Sequence, residues 1–279
     1  MKIFTTRATL SDYLRSEVAQ HKTIGFVPTM GALHQGHLSL IENAGQQNDL
    51  VVCSIFVNPT QFNDPKDLEK YPRPIESDIS KLEKTSCNVL FLPSVAEMYQ
   101  EGEQWHIDLG EVENKLEGKM RPGHYQGVTQ IVKKLFDIVQ PNRAYFGQKD
   151  YQQFLVVDQM VKHFKLEVKL VMCPIIREAD GLAMSSRNVH LSPQEHKEAL
   201  ALNRALKQAQ SNFHKKSITE NRAEVIQFLN SSEGVELEYF EICDGMTLEP
   251  VTSIQMQPIV ALVAAKVGHT RLIDNVILR

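Results

Sequence analysis

Across the first two-thirds of the chain, short apolar runs alternate with longer stretches in which apolar residues recur every three or four positions. That alternation is the pattern of strand-helix-strand units feeding a parallel sheet. The run at 24–29 opens the series, and 49–57, reading DLVVCSIFV, is almost continuously hydrophobic, as a strand covered on both faces must be. Segments 88–92, 143–146 and 166–176 repeat the theme. Between them, 36–47, 75–84, 128–139 and 151–164 carry helical spacing. The predicted fold class is α/β, a Rossmann-like open parallel sheet with helices on both faces.

Past Arg177 the pattern changes. Ser192-Pro193-Gln194-Glu195 joins an N-cap serine, a proline at the first helical position and an acidic first turn, which predicts a long helix running to about Phe213. Segments 236–243 and 258–267 then read as strands following helices. A smaller C-terminal α+β domain over 177–279 is therefore expected beside a first domain over 1–176, with no long linker between them.

The 279 residues, 42% of them apolar and 23% charged, suffice for a buried core. A formal net charge of −4 supplies no bulk positive field for nucleic acid. No stretch approaches the roughly 18 apolar residues of a membrane span, and the first residues lack the apolar core of a signal peptide, so a cytoplasmic protein without membrane partners is expected. Cys53, Cys87, Cys173 and Cys243 are dispersed, with no CxxC pair, and predict buried, reduced thiols rather than a disulfide framework or a thiolate zinc site.

The most informative stretch is 28–40, PTMGALHQGHLSL, placed between the first of these strands and the following helix. Ligands of open parallel sheets sit at the carboxyl ends of strands, and the unpaired N–H groups of a helix start attract phosphate. Gly31 and Gly36 permit close backbone approach, and His34 and His37 can donate hydrogen bonds to developing negative charge. A satisfied polar loop and a metal-binding pair are the other readings, although no HExxH or cysteine partner supports metal. Neither GxGxxG nor GxxxxGK[ST] occurs, which weighs against dehydrogenase and P-loop chemistry.

Other positions carry paired readings. Asn58 and Gln61, just beyond a buried strand, are directional amides for a small polar substrate or parts of an Asn-Pro turn. Asp150 can cap the next helix, whereas Lys149 at that same helix start calls for a nearby anion. Met184-Ser185-Ser186-Arg187 offers hydroxyls and a cation to phosphate, or is a solvated loop. Arg121, and with less support Arg73, is a fork for carboxylate or phosphate or a surface arginine. Asp78 either helps hold magnesium or lies on the exposed face of a helix.

His34-Gln35-Gly36-His37 resembles the HIGH signature of the nucleotidylyltransferase superfamily. Together with the blocks at 56–62 (FVNPTQF), 71–73 (YPR), 121–128 (RPGHYQGV), 145–153 (YFGQKDYQQ) and 184–188 (MSSRN), the chain resembles the pantothenate synthetase family over roughly 24–192. The C-terminal third is similar only in length and general character. The resemblance implies ATP-dependent joining of pantoate to β-alanine through a pantoyl adenylate, with release of AMP and pyrophosphate. It implies ATP contacts at Met30, Gly31, Ala32, Leu33, His34, Gln35, Gly36 and His37, at Gly147, Gln148, Lys149 and Asp150, at Ile176, and at Met184, Ser185, Ser186 and Arg187. Gln61 and Gln153 would hold pantoate, with Asn58 and Arg121 also on the small substrates. His34, His37, Lys149, Ser185, Ser186 and Arg187 would be catalytic, by neutralising charge on the phosphates rather than by forming a covalent bond.

Mg2+ would be bound mainly through the ATP phosphates, without a protein cage. A homodimer is also implied, and the polar segment 58–71 is long enough to serve as a lid. Gln148 and His190 depart from the family pattern, where glutamate and an aromatic hydroxyl are expected. The alternatives are a nucleotidylyltransferase acting on a small phosphorylated alcohol, and a nucleotide-binding protein without catalysis. An aminoacyl-tRNA synthetase is disfavoured by length and charge.

Overall fold

Six strands lie parallel in the first part of the chain: β1 (Lys2–Phe4), β2 (Ile24–Thr29), β3 (Leu50–Ile55), β4 (Val89–Phe91), β5 (Arg143–Gly147) and β6 (Lys169–Cys173). Their order across the sheet is β1-β4-β3-β2-β5-β6 in a computed structural model that describes residues 1–254 and 257–279. The helices between them are α1 (Arg7–Val18), α2 (Gln35–Gln47), α3 (Pro65–Lys70), α4 (Ile75–Leu82), α5 (Val95–Met98), α6 (Leu116–Met120), α7 (His124–Val139) and α8 (Tyr151–His163). Successive residues of β2 face opposite ways, as a strand requires. Val27 joins a buried cluster with Ile41 and Ala44 of α2 and Leu82 of α4, while Phe26 meets Phe136 of α7 edge-on. Both faces of the sheet are therefore covered, and β3 is buried at every position.

From β2 the chain builds outward through β3 and β4 on one side, then returns to place β5 on the other side of β2. The strand order reverses between β2 and β5, and it is outside the carboxyl ends of such a strand pair that open parallel sheets bind ligands. The segment 30–37 leaves the carboxyl end of β2, and Gly147 ends β5.

Several predicted boundaries shift for local reasons. The strand expected over 166–176 starts at Lys169, because Lys165 adopts a positive φ of 51° and the Leu166 N–H returns to Val161 O, closing α8 instead. The helix expected from 128 begins at His124, after Gly123 turns the chain with a φ of 77°.

The remaining strands, β7 (Val235–Asp244), β8 (Ile259–Val267) and β9 (Thr270–Ile277), pair antiparallel in that order. They share a core with α9 (Pro193–Asn212) and α10 (Ile218–Asn230), in which Leu202, Leu206, Phe213, Val225 and Leu229 pack with Phe240, Ile259 and Val263. The predicted cap at Ser192 is a full capping box, with Ser192 Oγ accepting from Glu195 N and Glu195 Oε2 from Ser192 N. By contacts the chain divides into one unit of Met1–Gly147 with Gln152–Pro174 and another of Gln148–Tyr151 with Ile175–Arg279. Residues 148–151 leave the unit that precedes and follows them because Asn275 and the Gly245 carbonyl bind them. Among the described residues no helix is long and apolar enough to cross a membrane.

Leu206, 1% exposed, lies in the core of the second unit. Leu206→Ala is expected to cost about 2–5 kcal/mol, the usual range for such a deletion, read as a fall in the urea midpoint with the slope unchanged.

Candidate active site

The turn after β2 is built from hydrogen bonds that fill its own donors. Thr29 Oγ1 donates to Ser54 O (2.7 Å) and accepts from Gly31 N (3.2 Å). Gly31 has a φ of 80°, and a Cβ there would stand 2.9 Å from the Ile55 methyl, so glycine is required. Ala32 follows with a φ of 50°, a left-handed conformation that costs roughly 1–2 kcal/mol for an L-residue. It is held by Asp78, whose Oδ2 accepts from Ala32 N (2.7 Å) and whose Oδ1 accepts from Leu33 N (2.8 Å). Lys81, one turn further along α4, donates to Leu33 O (2.7 Å). Asp78 is fully buried. The exposed helix face expected for it is corrected, and with both oxygens on backbone N–H groups its carboxylate is built into the turn rather than offered to magnesium.

His34 then caps α2. Its Nδ1 accepts from Gly36 N (3.1 Å), the His37 Nδ1 accepts from His34 N (3.3 Å), and the two rings lie 4.0 Å apart. A neutral imidazole whose Nδ1 accepts carries its proton on Nε2, so both rings are set as Nε2–H donors. The N–H groups of Gly31, Ala32, Leu33, His34 and Gly36 all have protein acceptors. Unpaired amides were expected here for phosphate; at these five positions they are filled by acceptors of the protein itself.

Beyond β3, Asn58 caps a 3₁₀ turn at Pro59–Gln61 and is 1% exposed. Its Nδ2 donates to Gly127 O (3.0 Å) and Gln61 Oε1 (3.1 Å), and its Oδ1 accepts from Tyr99 Oη (2.6 Å) and Thr60 Oγ1 (3.2 Å). Burial above all pushes the Tyr99 hydroxyl up to about 12, which keeps it a donor. The Asn58 amide is thus committed to the protein and orients Gln61. The Gln61 Nε2 donates to Met30 Sδ (3.0 Å), a weak acceptor. The Gln61 carbonyl accepts from His124 Nδ1 (2.8 Å), and Arg121 Nη1 lies 3.1 Å from His124 Nε2. His124 carries its proton on Nδ1 in this arrangement, since a carbonyl only accepts.

Neither His124 nor Tyr99 carried a role in the sequence; His124 lies inside the 121–128 block, and its approach to Gln61 from 63 residues away is what the sequence hides. Arg73 donates to Leu68 O (2.8 Å) and Tyr71 O (2.9 Å), closing the end of α3, so the polar stretch 58–71 contains an ordered helix. The adjacent glutamines divide. Gln152 is 2% exposed and bonds Glu117 N, Val112 O and Lys115 O, whereas Gln153 is half-buried and its amide has no hydrogen-bond partner among the described residues.

In the second unit, Gln148–Asp150 forms a 3₁₀ turn with Lys149 Nζ 3.6 Å from Asp150 Oδ1. Ile176 and Met184 are joined by Met184 N to Ile176 O (3.0 Å), at the base of a hairpin. Ser185 Oγ accepts from Arg187 N (3.3 Å) and starts the 3₁₀ turn Ser186–His190, in which His190 is exposed. Glu178, Asp180 and His196 are the one group of possible metal ligands among the described residues. His196 Nε2 lies 2.7 Å from Asp180 Oδ2, and that hydrogen bond holds the Asp180 carboxyl below its usual range.

The family model described as Pantoate-beta-alanine ligase matches residues 2–277. A pantothenate synthetase of Thermotoga petrophila is 49% identical, with 100% of each chain covered. One from Pseudothermotoga lettingae is 48% identical over 94% of each. Among solved structures, pantothenate synthetase from Thermus thermophilus superimposes with a TM-score of 0.94 at 41% identity, covering 100% of this chain and 99% of that one. A pantoate-beta-alanine ligase from Francisella tularensis, complexed with beta-gamma ATP and beta-alanine, gives 0.83 at 36% identity, covering 100% and 98%.

The two glutamines should separate by thermal unfolding. Gln152→Ala leaves buried backbone groups unpaired and is expected to cost about 1–3 kcal/mol, whereas Gln153→Ala should leave the midpoint unchanged.

Proposed function

The chain belongs to the pantoate-β-alanine ligase family, and from that membership we propose that it condenses pantoate with β-alanine through a pantoyl adenylate. A carboxylate is a poor acyl donor. The pantoate carboxylate oxygen attacks the α-phosphorus of ATP in line, the bond to the β-phosphate bridging oxygen breaks, and pyrophosphate leaves. The β-alanine ammonium gives one proton to solvent, its free amine attacks the acyl carbon, the bond from that carbon to the phosphate oxygen breaks as AMP leaves, and the second nitrogen proton is lost to solvent. Both steps depend on positioning and charge neutralisation, so no covalent enzyme intermediate is required.

The residues take separate roles. His34 and His37 donate from Nε2 to the α-phosphate, where charge accumulates as pyrophosphate departs. Lys149, Ser185, Ser186 and Arg187 neutralise the leaving pyrophosphate. Met30, Gly31, Ala32, Leu33, Gln35, Gly36, Gly147, Gln148, Asp150, Ile176 and Met184 shape the nucleotide contacts. Gln61 and Gln153 hold pantoate, Asn58 orients Gln61, and Arg121 serves the carboxylate of a small substrate. Mg2+ travels on the ATP phosphates and supplies further charge neutralisation.

The observation that carries this reading is the paired imidazole geometry, in which each Nδ1 accepts from a backbone N–H and each neutral ring therefore carries its proton at Nε2. A solvated polar loop would not fix both tautomers alike.

Purified protein given ATP, Mg2+, pantoate and β-alanine should form AMP and pyrophosphate only when pantoate is present, and pantothenate only when all four are. His37→Ala should lower kcat roughly 100- to 1,000-fold with folding intact, the usual loss for one donor to developing charge. An unchanged kcat would remove His37 from the site. Pyrophosphate release with a phosphorylated alcohol in place of pantoate would favour the other nucleotidylyltransferase reading.

A further inference from the structure

Among the polar residues of the last strand, Asp274 and Asn275 stand side by side and the reaction above uses neither. Both are buried, Asp274 at 4% exposure and Asn275 at 1%. Buried polar side chains persist where their partners satisfy them, so the identity of those partners shows what they hold.

Asn275 holds the lysine turn. Its Nδ2 donates to two successive carbonyls, Gln148 O (2.9 Å) and Lys149 O (3.0 Å), and its Oδ1 accepts from Gln148 Nε2 (3.0 Å). The amide is used completely, and it fixes the backbone from which the Lys149 side chain departs. Asp274 holds the hairpin. Its carboxylate meets the Arg177 guanidinium fork to fork, at 2.6 and 2.9 Å, and Arg177 Nη1 also donates to Gly181 O (3.2 Å). Arg177 and Ala183 form a bridge just inside the Ile176 and Met184 pair, so this arginine anchors the hairpin that delivers Ser185, Ser186 and Arg187. Asp274 Oδ1 also accepts from Asn275 N (2.8 Å), which links the two anchors.

We propose that Asp274 and Asn275 are positioning residues for ATP, one strand segment setting both the Lys149 turn and the Ser185–Arg187 loop. Neither touches the nucleotide. The proposal rests on the reading of these two segments as phosphate contacts, and it gives Gln148 a role as the side chain that completes the Asn275 anchor.

Isosteric variants test it without opening a cavity. Asn275→Asp puts a carboxylate oxygen opposite two carbonyls, and Asp274→Asn replaces half of the fork by an amide. Calorimetric titration of the full chain with Mg-ATP should show roughly tenfold or greater weakening in each variant, as expected when charged contacts are lost from a binding site. In steady state the KM for ATP should rise while the KM for pantoate stays within about twofold, since a merely structural defect removes active enzyme and lowers kcat alone. Should Asp274→Asn fail to fold, the double replacement Arg177→Met with Asp274→Leu removes the buried carboxylate together with its part-buried partner, a change often neutral for stability, and the same ATP weakening is expected. Wild-type ATP affinity and ATP KM in the folded variants would overturn the proposal. Wild-type protein that binds ATP but forms no AMP from pantoate would defeat the proposed reaction and leave this inference standing.

Discussion

A buried backbone N–H must find an acceptor, and the turn after β2 is organised by that requirement. A sheet strand ends at Thr29, a helix starts at Gln35, and the N–H groups of the five residues between fall outside the backbone ladders of both elements. Asp78 reaches in from α4 and accepts two of the orphan donors at once, which stabilises a left-handed alanine that would otherwise unwind. Two charge-assisted bonds of this kind contribute roughly 1.5–3 kcal/mol each, enough to offset the strain of the turn. The arrangement has a chemical cost. A backbone nest that binds a carboxylate of its own protein has few N–H groups left for any other anion.

Amide side chains show the same economy. Asn58 and Gln152 are buried and saturated by their own chain, while Gln61 rests on a thioether and Gln153 on nothing among the described residues. A saturated amide has no group left to offer, but it can hold a neighbouring amide still, as Asn58 holds Gln61. Preorganisation matters because displacing a reacting group by about an ångström can cost a hundredfold in rate.

The repeating parallel strands were legible because β3 is buried on both faces and its sequence has no choice but to be apolar. The three-residue strand β1 is too short to form a pattern, and the start of α7 is masked by Gly127, which sits inside the helix because a Cβ there would come within 2.3 Å of Thr60 O. Of the candidate site, the pairing of His34 and His37 at the start of α2 was legible because it depends on local spacing alone. Contacts made across the fold were hidden: Asp78 lies 46 residues from Ala32, and Asn275 lies 127 from Gln148. Periodicity contains no information about such distances. The exposed helix face assigned to Asp78 follows from that same blindness.

The excursion of 148–151 into the other unit bears on how this architecture can be cut and recombined. A fragment ending after β6 would keep its whole sheet yet carry a tetrapeptide stripped of the strand that ties it down. A hybrid assembled from two relatives at a junction near 175 would combine a lysine turn from one parent with an anchoring asparagine from the other. Shuffling therefore preserves this contact only when both crossover partners agree at two places more than a hundred positions apart.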